Sequence, residues 1–375
     1  MAKVSNLDNF VYAVHKWCGL IAGLFILMLS ITGTLLLFND EIDTATNAEM
    51  VKVSAEGPRL SADELVTALV EKYPDASLSS TILYPDAPDR APMTQLRQDG
   101  KNWWVYQNPA TGAVLGQREP NATPMKIILH IHEHLTLGAN GHAILLVVGI
   151  ALILLVLSGL WYYRKSLLSV FGIGVRNRNT YLANSDLHKL TGVLTFLFLL
   201  LMAVTGSFMH WEKVERIFEP GPPPAAAKPE GTSTEPAAPD YTRLSLTNSL
   251  QIAEKAIPNF TPAQIRYPKD ADGNVVIAGT RPESNRLLGV YTSSVEINPA
   301  SGEVVEVEHA EDRDFEANAE ATVEQIHFGH FGGLFIQLLY GLGGIGLGTM
   351  TVTGFVIWWE KRKFPKKKAK AVRMA

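Results

Sequence analysis

Four apolar stretches dominate this sequence, and each is long enough to cross a lipid bilayer. They run from Trp17 to Phe38, Ala143 to Tyr163, Leu190 to Trp211 and roughly Leu334 to Trp359, where a span needs about 20 residues. Aromatic residues such as Trp17, Trp161, Trp211 and Trp358 stand at their ends, as in an interfacial belt. Hydrophobic residues make up 47% of the chain and charged ones 19%, and their clumping excludes a purely water-soluble globular protein. A formal net charge of −4 gives no attraction for nucleic acid. The lone cysteine, Cys18, excludes a disulfide scaffold, a four-cysteine zinc site, an all-thiolate iron–sulfur cluster and a C-x-x-C-H haem attachment.

Basic residues set the expected orientation. The connection between Tyr163 and His188 carries Arg164, Lys165, Arg176 and Arg178 against one acid, Asp186, and the C-terminal tail is rich in lysine. By the positive-inside rule both belong in the cytoplasm, and with four spans so does the N-terminus. The long segments Asn39–Gly141 and Glu212–Gly333 then lie outside, in the periplasm of a bacterium. The first span has the basic flank of a signal peptide, but its apolar run is long for one and it has an internal copy that no peptidase could remove, so it is expected to be retained.

That copy belongs to a duplication. Shifted by 173 residues, His15-Lys16-x-x-Gly19 and Thr32-Gly33 of the first span fall on His188-Lys189-x-x-Gly192 and Thr205-Gly206 of the third. Shifted by 195, His132 and Ser158-Gly159 fall on His327 and Thr353-Gly354. Shifted by 190, the turn Asn108-Pro109-Ala110-Thr111-Gly112 falls on Asn298-Pro299-Ala300-Ser301-Gly302. The expected fold class is an α-helical membrane protein with four transmembrane helices in two parallel repeats, each with an inserted outer α+β module. Parallel repeats share a pseudo-two-fold axis along the membrane normal, so a site on that axis draws on equivalent residues.

The expected boundaries are 1–38 for the first span, 39–124 and 241–320 for the modules, and 125–163 and 321–359 for the second and fourth spans with their approach segments. The cytoplasmic loop covers 164–187, the third span 188–211, a proline-rich linker 212–240 and the basic tail 360–375. In the first module Ser61-x-x-Glu64 reads as a capping box opening a helix to about Tyr73. Strands are expected near Thr81–Tyr84, Thr94–Gln98, Trp103–Gln107 and Ala113–Gly116. The second module repeats this with a helix near Ser249–Ala256 and strands near Gln264–Tyr267, Val275–Ala278, Gly289–Ile297 and Glu303–Val307.

These features together resemble the PepSY-associated transmembrane-helix family. The carrying residues are His-Lys-Trp-x-Gly-Leu-x-x-Gly at His15–Gly23, the Thr32-Gly33 pair, Ile131-His132-x-x-Leu135, the two Asn-Pro turns and Ile326-His327-Phe328-Gly329-x-Phe331-Gly332-Gly333. The resemblance covers the chain apart from the linker and the tail. It implies PepSY-like modules and a bacterial inner-membrane protein linked to iron uptake. One branch of the family is similar to b-haem reductases that release iron from ferric siderophores on the periplasmic side.

Nine of the ten histidines cluster at the membrane ends. A b-type haem takes one or two axial imidazoles and no cysteine, and two histidines from different helices can sandwich it in a bundle. His15 and His188 are equivalent at the inner end, and His132 and His327 at the outer end. These four are the expected ligands, as two bis-histidine haem b groups; the alternative is interfacial histidines bonded to headgroups or loops. A straight helix places His132 and His327 about 40 Å before the glycine that ends each span, at or above the outer interface. His210, His330 and His134 are held in reserve as ligands or proton donors. No cytoplasmic segment is expected to fold a nucleotide domain, which needs at least about 30 residues, so a membrane quinol or a separate cytoplasmic reductase would supply electrons to a ferric siderophore. Two competing readings are a periplasmic binding or regulatory platform anchored by the helices, and part of an uptake transporter. The glycine run Gly341–Gly348 sits inside a span and reads as close helix packing rather than a dinucleotide loop.

Overall fold

The computed structural model describes residues 6–54, 56–164, 170–218, 239–283, 285–289, 291 and 293–373. In chain order its first half contains α1 (Asn6–Leu37), α2 (Asn39–Thr46), α3 (Ala48–Val51), α4 (Ala62–Lys72), β1 (Ser77–Ile82), β2 (Met93–Gln98), β3 (Lys101–Gln107), β4 (Val114–Arg118), α5 (Pro124–His134) and α6 (Ala139–Tyr163). After α7 (Val170–Ile173) come α8 (Thr180–Phe218), α9 (Leu246–Ala256), β5 (Thr261–Arg266), β6 (Val275–Thr280), β7 (Ser293–Ile297), β8 (Val304–Glu308), α10 (Phe315–Phe328) and α11 (Gly333–Arg373). They form two compact units, a helical one and a sheet one.

The helical unit is a bundle of α1, α6, α8 and α11, the four helices long and apolar enough to cross a membrane. Neighbours around the bundle are α1–α6, α6–α8, α8–α11 and α11–α1, so α1 and α8 lie diagonally opposite. Apolar side chains surround these helices because their outward faces meet lipid rather than water; Ile21, Leu24, Leu194, Leu197 and Leu342 are all exposed. The glycines of α11 let backbones approach closely, as their position in a span implies. A Cβ on Gly344 would lie 2.2 Å from Thr34 Oγ1, and one on Gly343 2.4 Å from the Phe198 ring.

Both long outer helices are broken, and the breaks matter for the site. Between α5 and α6, Leu135 and Thr136 take positive φ, and Gly138 has φ 55°. Between α10 and α11, Gly329 has φ 72° and Gly333 has φ 60°. These are left-handed conformations that end a right-handed helix. The approach segments are thus helix–turn–helix units. Also, α8 continues to Phe218, so the first seven residues assigned to the linker are helical; residues 219–238 and Lys165 lie outside the described residues.

The sheet unit is a single antiparallel sheet of eight strands in the order β4-β3-β2-β1-β5-β6-β7-β8. Each half contributes four strands in mirrored sequence order, and the halves join where β1 pairs with β5, with Thr81 opposite Ile265. The two expected modules therefore share one sheet and one core, in which Leu69, Leu96 and Val105 pack with Leu246, Ile257 and Ile277. Ser61 and Glu64 form the capping box: the Glu64 carboxylate accepts from the Ser61 amide at 2.7 Å, and the Ser61 hydroxyl accepts from the Glu64 amide at 3.3 Å. Polar contacts cross the seam. Asp63 of α4 accepts from the amides of Leu246 and Thr247 at 2.6 and 3.1 Å, capping α9 of the other half. The Tyr267 hydroxyl bonds Thr81 Oγ1 at 2.8 Å. The two Asn-Pro turns match, with Gly112 at φ 71° and Gly302 at φ 72°. Tyr106 is buried and Trp103 packs on the sheet core, so these aromatics serve the fold.

Candidate functional site: paired imidazoles in the helix bundle

Four histidines point into the bundle, and each is held by a different helix in the same way. His15 on α1 places Nδ1 3.0 Å from the Leu155 carbonyl and 3.0 Å from Ser158 Oγ of α6. His188 on α8 places Nδ1 3.0 Å from the Met350 carbonyl and 3.0 Å from Thr353 Oγ1 of α11. A carbonyl only accepts, so both rings carry their proton on Nδ1. The Ser158 and Thr353 hydroxyls spend their own protons on helix carbonyls and so accept as well.

The outer pair obeys the same logic. His132 Nδ1 lies 2.8 Å from Thr32 Oγ1, and His327 Nδ1 lies 2.8 Å from Thr205 Oγ1. Thr32 donates to the Met28 carbonyl at 2.8 Å and Thr205 to the Leu201 carbonyl at 2.7 Å. With those protons committed, each threonine oxygen accepts from the imidazole. All four rings therefore hold the proton on Nδ1 and leave an Nε2 lone pair, with no partner for Nε2 among the described residues. This is how proteins prepare a metal-ligating histidine: the far nitrogen donates to a fixed acceptor, which sets tautomer and ring direction.

Each hydroxyl residue is followed by glycine, and the structure shows why. A Cβ on Gly33 would stand 2.9 Å from His132 Cε1, and one on Gly206 3.2 Å from His327 Cε1. At the inner end a Cβ on Gly159 or Gly354 would stand 3.3 Å from Cε1 of His15 or His188. The hydroxyl anchors the ring and the glycine makes room for it.

His15 and His188 meet across the bundle from diagonal helices. Their ring centres are 6.2 Å apart and their planes cross at 89°. Two imidazoles bound to one metal from opposite sides, at about 2 Å per bond, have ring centres about 6 Å apart. The spacing thus fits a shared axial metal, as in a bis-histidine haem. Both rings line a cavity of about 280 Å³, whose deep wall is apolar (Ile26, Leu152, Leu199) and which Gly19 and Gly23 keep open. Gly192, the equivalent of Gly19, instead packs against Met350.

His132 and His327 do not sit above the ends of the spans, as a straight helix would place them. The breaks after α5 and α10 turn these helices back, so that His132 is level with Thr32, about 8 Å inside the end of α1.

The reserve residues go elsewhere. His210 Nδ1 lies 3.3 Å from Nδ1 of His142, near the start of α6. His134 stands between His130 and His142, with ring centres 5.1 and 5.6 Å away, and its Nδ1 is buried without a partner. His330 does not share a helix face with His327, because α10 ends at Phe328 and His330 is exposed in a separate turn. In the other half the positions of His142 and His210 are Gln337 and Leu37, and there Gln337 Nε2 donates to the Leu37 carbonyl at 2.9 Å. Among the described residues no three of histidine, cysteine, aspartate and glutamate converge to hold a bare metal ion.

A family model for the PepSY-associated TM region matches residues 12–361. The chain belongs to this family. The match covers both histidine pairs and all four anchoring hydroxyls, so the whole site of this PepSY-associated TM protein lies in the shared region. A Pseudomonas aeruginosa protein, itself uncharacterized, is 24% identical over 262 residues, which span 64% of this chain and 64% of that protein. The chain thus spans 64% of the length of the curated relative it matches.

Proposed function

We propose that this protein is a membrane-bound reductase that holds two b-type haems and passes electrons across a bacterial inner membrane to ferric iron in a periplasmic siderophore. The observation that carries the reading is the pair His15 and His188, 6.2 Å apart, with both Nδ1 protons committed to carbonyls. His132 and His327 are likewise held through Nδ1, each by a threonine hydroxyl, and the matching contacts of the two halves support descent from one duplicated unit. When bound, a b-type haem supplies one-electron redox chemistry at its iron.

The chain's own residues would do the rest. Seventeen residues of α1 separate His15 from Thr32, the anchor of His132, which is about 25 Å of helix and within one hydrocarbon core of about 30 Å. One pair thus serves each side. By the positive-inside rule, the basic connection after Tyr163 supports a cytoplasmic His15–His188 end and a periplasmic sheet unit. That connection is too short for a nucleotide-binding unit, so a quinol or a separate reductase is the donor. Siderophores grip Fe(III) with hard oxygen donors; Fe(II) is softer and carries less charge, so reduction loosens the complex.

The test is a pyridine haemochrome count with an absorption spectrum on protein expressed with ample haem. Two haems per chain are expected. His15→Ala, His188→Ala, His132→Ala and His327→Ala should each lose one, and His210→Ala should keep both. Protein without a Soret band under these conditions ends the proposal.

A further inference from the structure

In both halves the inner histidine is followed by lysine, and the ligand reading gives this residue no role. Lys16 and Lys189 line the same cavity as His15 and His188, and Lys361 of α11 joins them. The cavity is therefore polarised, with apolar side chains at its deep wall and three ammonium groups near the start of α1 and α8. Three lysines and Arg176 share few acids here, and only Lys189 of the three lysines has an ion-pair partner among the described residues. Lys16 lies over the Trp17 ring, 4.6 Å from its centre, and Lys361 bonds the Tyr12 hydroxyl at 3.0 Å. Neither has an acidic partner among the described residues. Asp186, which Lys189 approaches at 3.8 Å, is held by Arg176 through bonds of 2.7 and 2.8 Å, and Glu360, next to Lys361, bonds Lys363 at 2.6 Å. Ammonium groups gathered beside an apolar pocket, two of them with no carboxylate partner among the described residues, favour an anion there.

We propose that Lys16 and Lys189, with Lys361, bind the two carboxylates on one edge of the macrocycle held by His15 and His188. The symmetry supports this: two equivalent lysines, each next to an axial histidine, face a ligand with two propionates on one side. The lysines thereby fix the ligand's rotation and direct its carboxylates to the mouth. They are positioning residues. The inference rests on the haem reading of this pair.

The experiment compares haem b with its dimethyl ester, which has the same ring and iron but no negative edge. Full-length protein in detergent, stripped of haem, is titrated with each and the dissociation constant read from the Soret band. The free acid should bind roughly tenfold tighter than the ester, as expected for charge-assisted bonds at a partly open mouth. In the triple variant Lys16→Gln, Lys189→Gln, Lys361→Gln the two should bind alike, with the ester at its wild-type affinity; the ester thus reports that the variant still folds. Equal binding of acid and ester by the wild type overturns the role of the lysines and leaves the histidine reading intact. Equal weakening of both in the variant assigns the lysines to the fold and also overturns the proposal. If the wild type binds neither, the haem reading fails and this inference with it.

Discussion

The two ends of the bundle solve the same problem with different security. At the inner end His15 and His188 project from continuous helices, and each Nδ1 has two acceptors, a backbone carbonyl and a hydroxyl. At the outer end His132 and His327 ride on α5 and α10, short helices turned back by left-handed connections, and each Nδ1 has one acceptor, a threonine hydroxyl. Space is tighter at one outer ring, with 2.9 Å from a Cβ at Gly33 to His132 against 3.3 Å at Gly159 to His15, while Gly206 at 3.2 Å nearly equals Gly354 at 3.3 Å. The inner pair is fixed by the bundle itself, whereas the outer pair depends on a turn and a single bond. The outer site should therefore be the first to fail under any perturbation.

The largest contrast is expected from the glycines. Gly33→Ala forces its methyl into His132, and overpacking of this kind costs about 1–3 kcal/mol. The outer haem should be lost or bound far more weakly, while Gly159→Ala should leave the inner haem largely in place; haem content after gel filtration compares them. Equal losses at both ends would break the distinction.

A smaller contrast comes from the hydroxyls. Thr32→Val removes the acceptor of His132, and a lost hydrogen bond that strands a buried donor costs about 1–3 kcal/mol. Ser158→Ala leaves the Leu155 carbonyl to His15, so its cost should stay under about 1 kcal/mol. The rate of haem transfer to an acceptor globin should rise clearly in the first variant and little in the second.

The sheet unit provides the control. Arg118 holds Asp43 through bonds of 2.5 and 2.7 Å and also donates to the Tyr106 hydroxyl. Burial opposes ionisation of Asp43, but the Arg118 bonds and charge outweigh it, so its pKa lies below the ordinary carboxylate value. A folded-state pKa below the unfolded one contributes stability that is complete above the unfolded value and is lost as pH falls through the folded one. Asp43→Asn should lower sheet stability at neutral pH by about 1–2 kcal/mol and flatten its acid dependence, with no change in haem content.

Much of this was legible from residues alone. The spans are readable because lipid demands long apolar runs, and the capping box and Asn-Pro turns because their bonds are local. The histidine pairs were visible as equivalents under a shift. The anchors are harder: Thr32, Ser158, Thr205 and Thr353 look like packing residues until each is seen to meet a histidine a hundred or more positions away. The signal is present, since a hydroxyl–glycine pair recurs in every span, though the third span also carries Thr191-Gly192, which anchors no histidine. The depth of His132 is not legible, because the left-handed turn begins at Leu135 and Thr136, ahead of the glycines where a bend is expected. The pairing of His210 with His142 was hidden because it breaks the symmetry that made the other pairs readable. The joining of the two modules depends on β1 meeting β5, a non-local choice that periodicity does not encode.

The central claim is that His15 and His188 grip one iron between crossed rings. Electron paramagnetic resonance of the oxidised protein tests it directly, because imidazole planes crossing at 89° give a strongly anisotropic low-spin ferric signal. The account predicts that signal in the wild type and its loss in both His15→Ala and His188→Ala. A wild type without it, or a signal that survives both substitutions, would contradict the account.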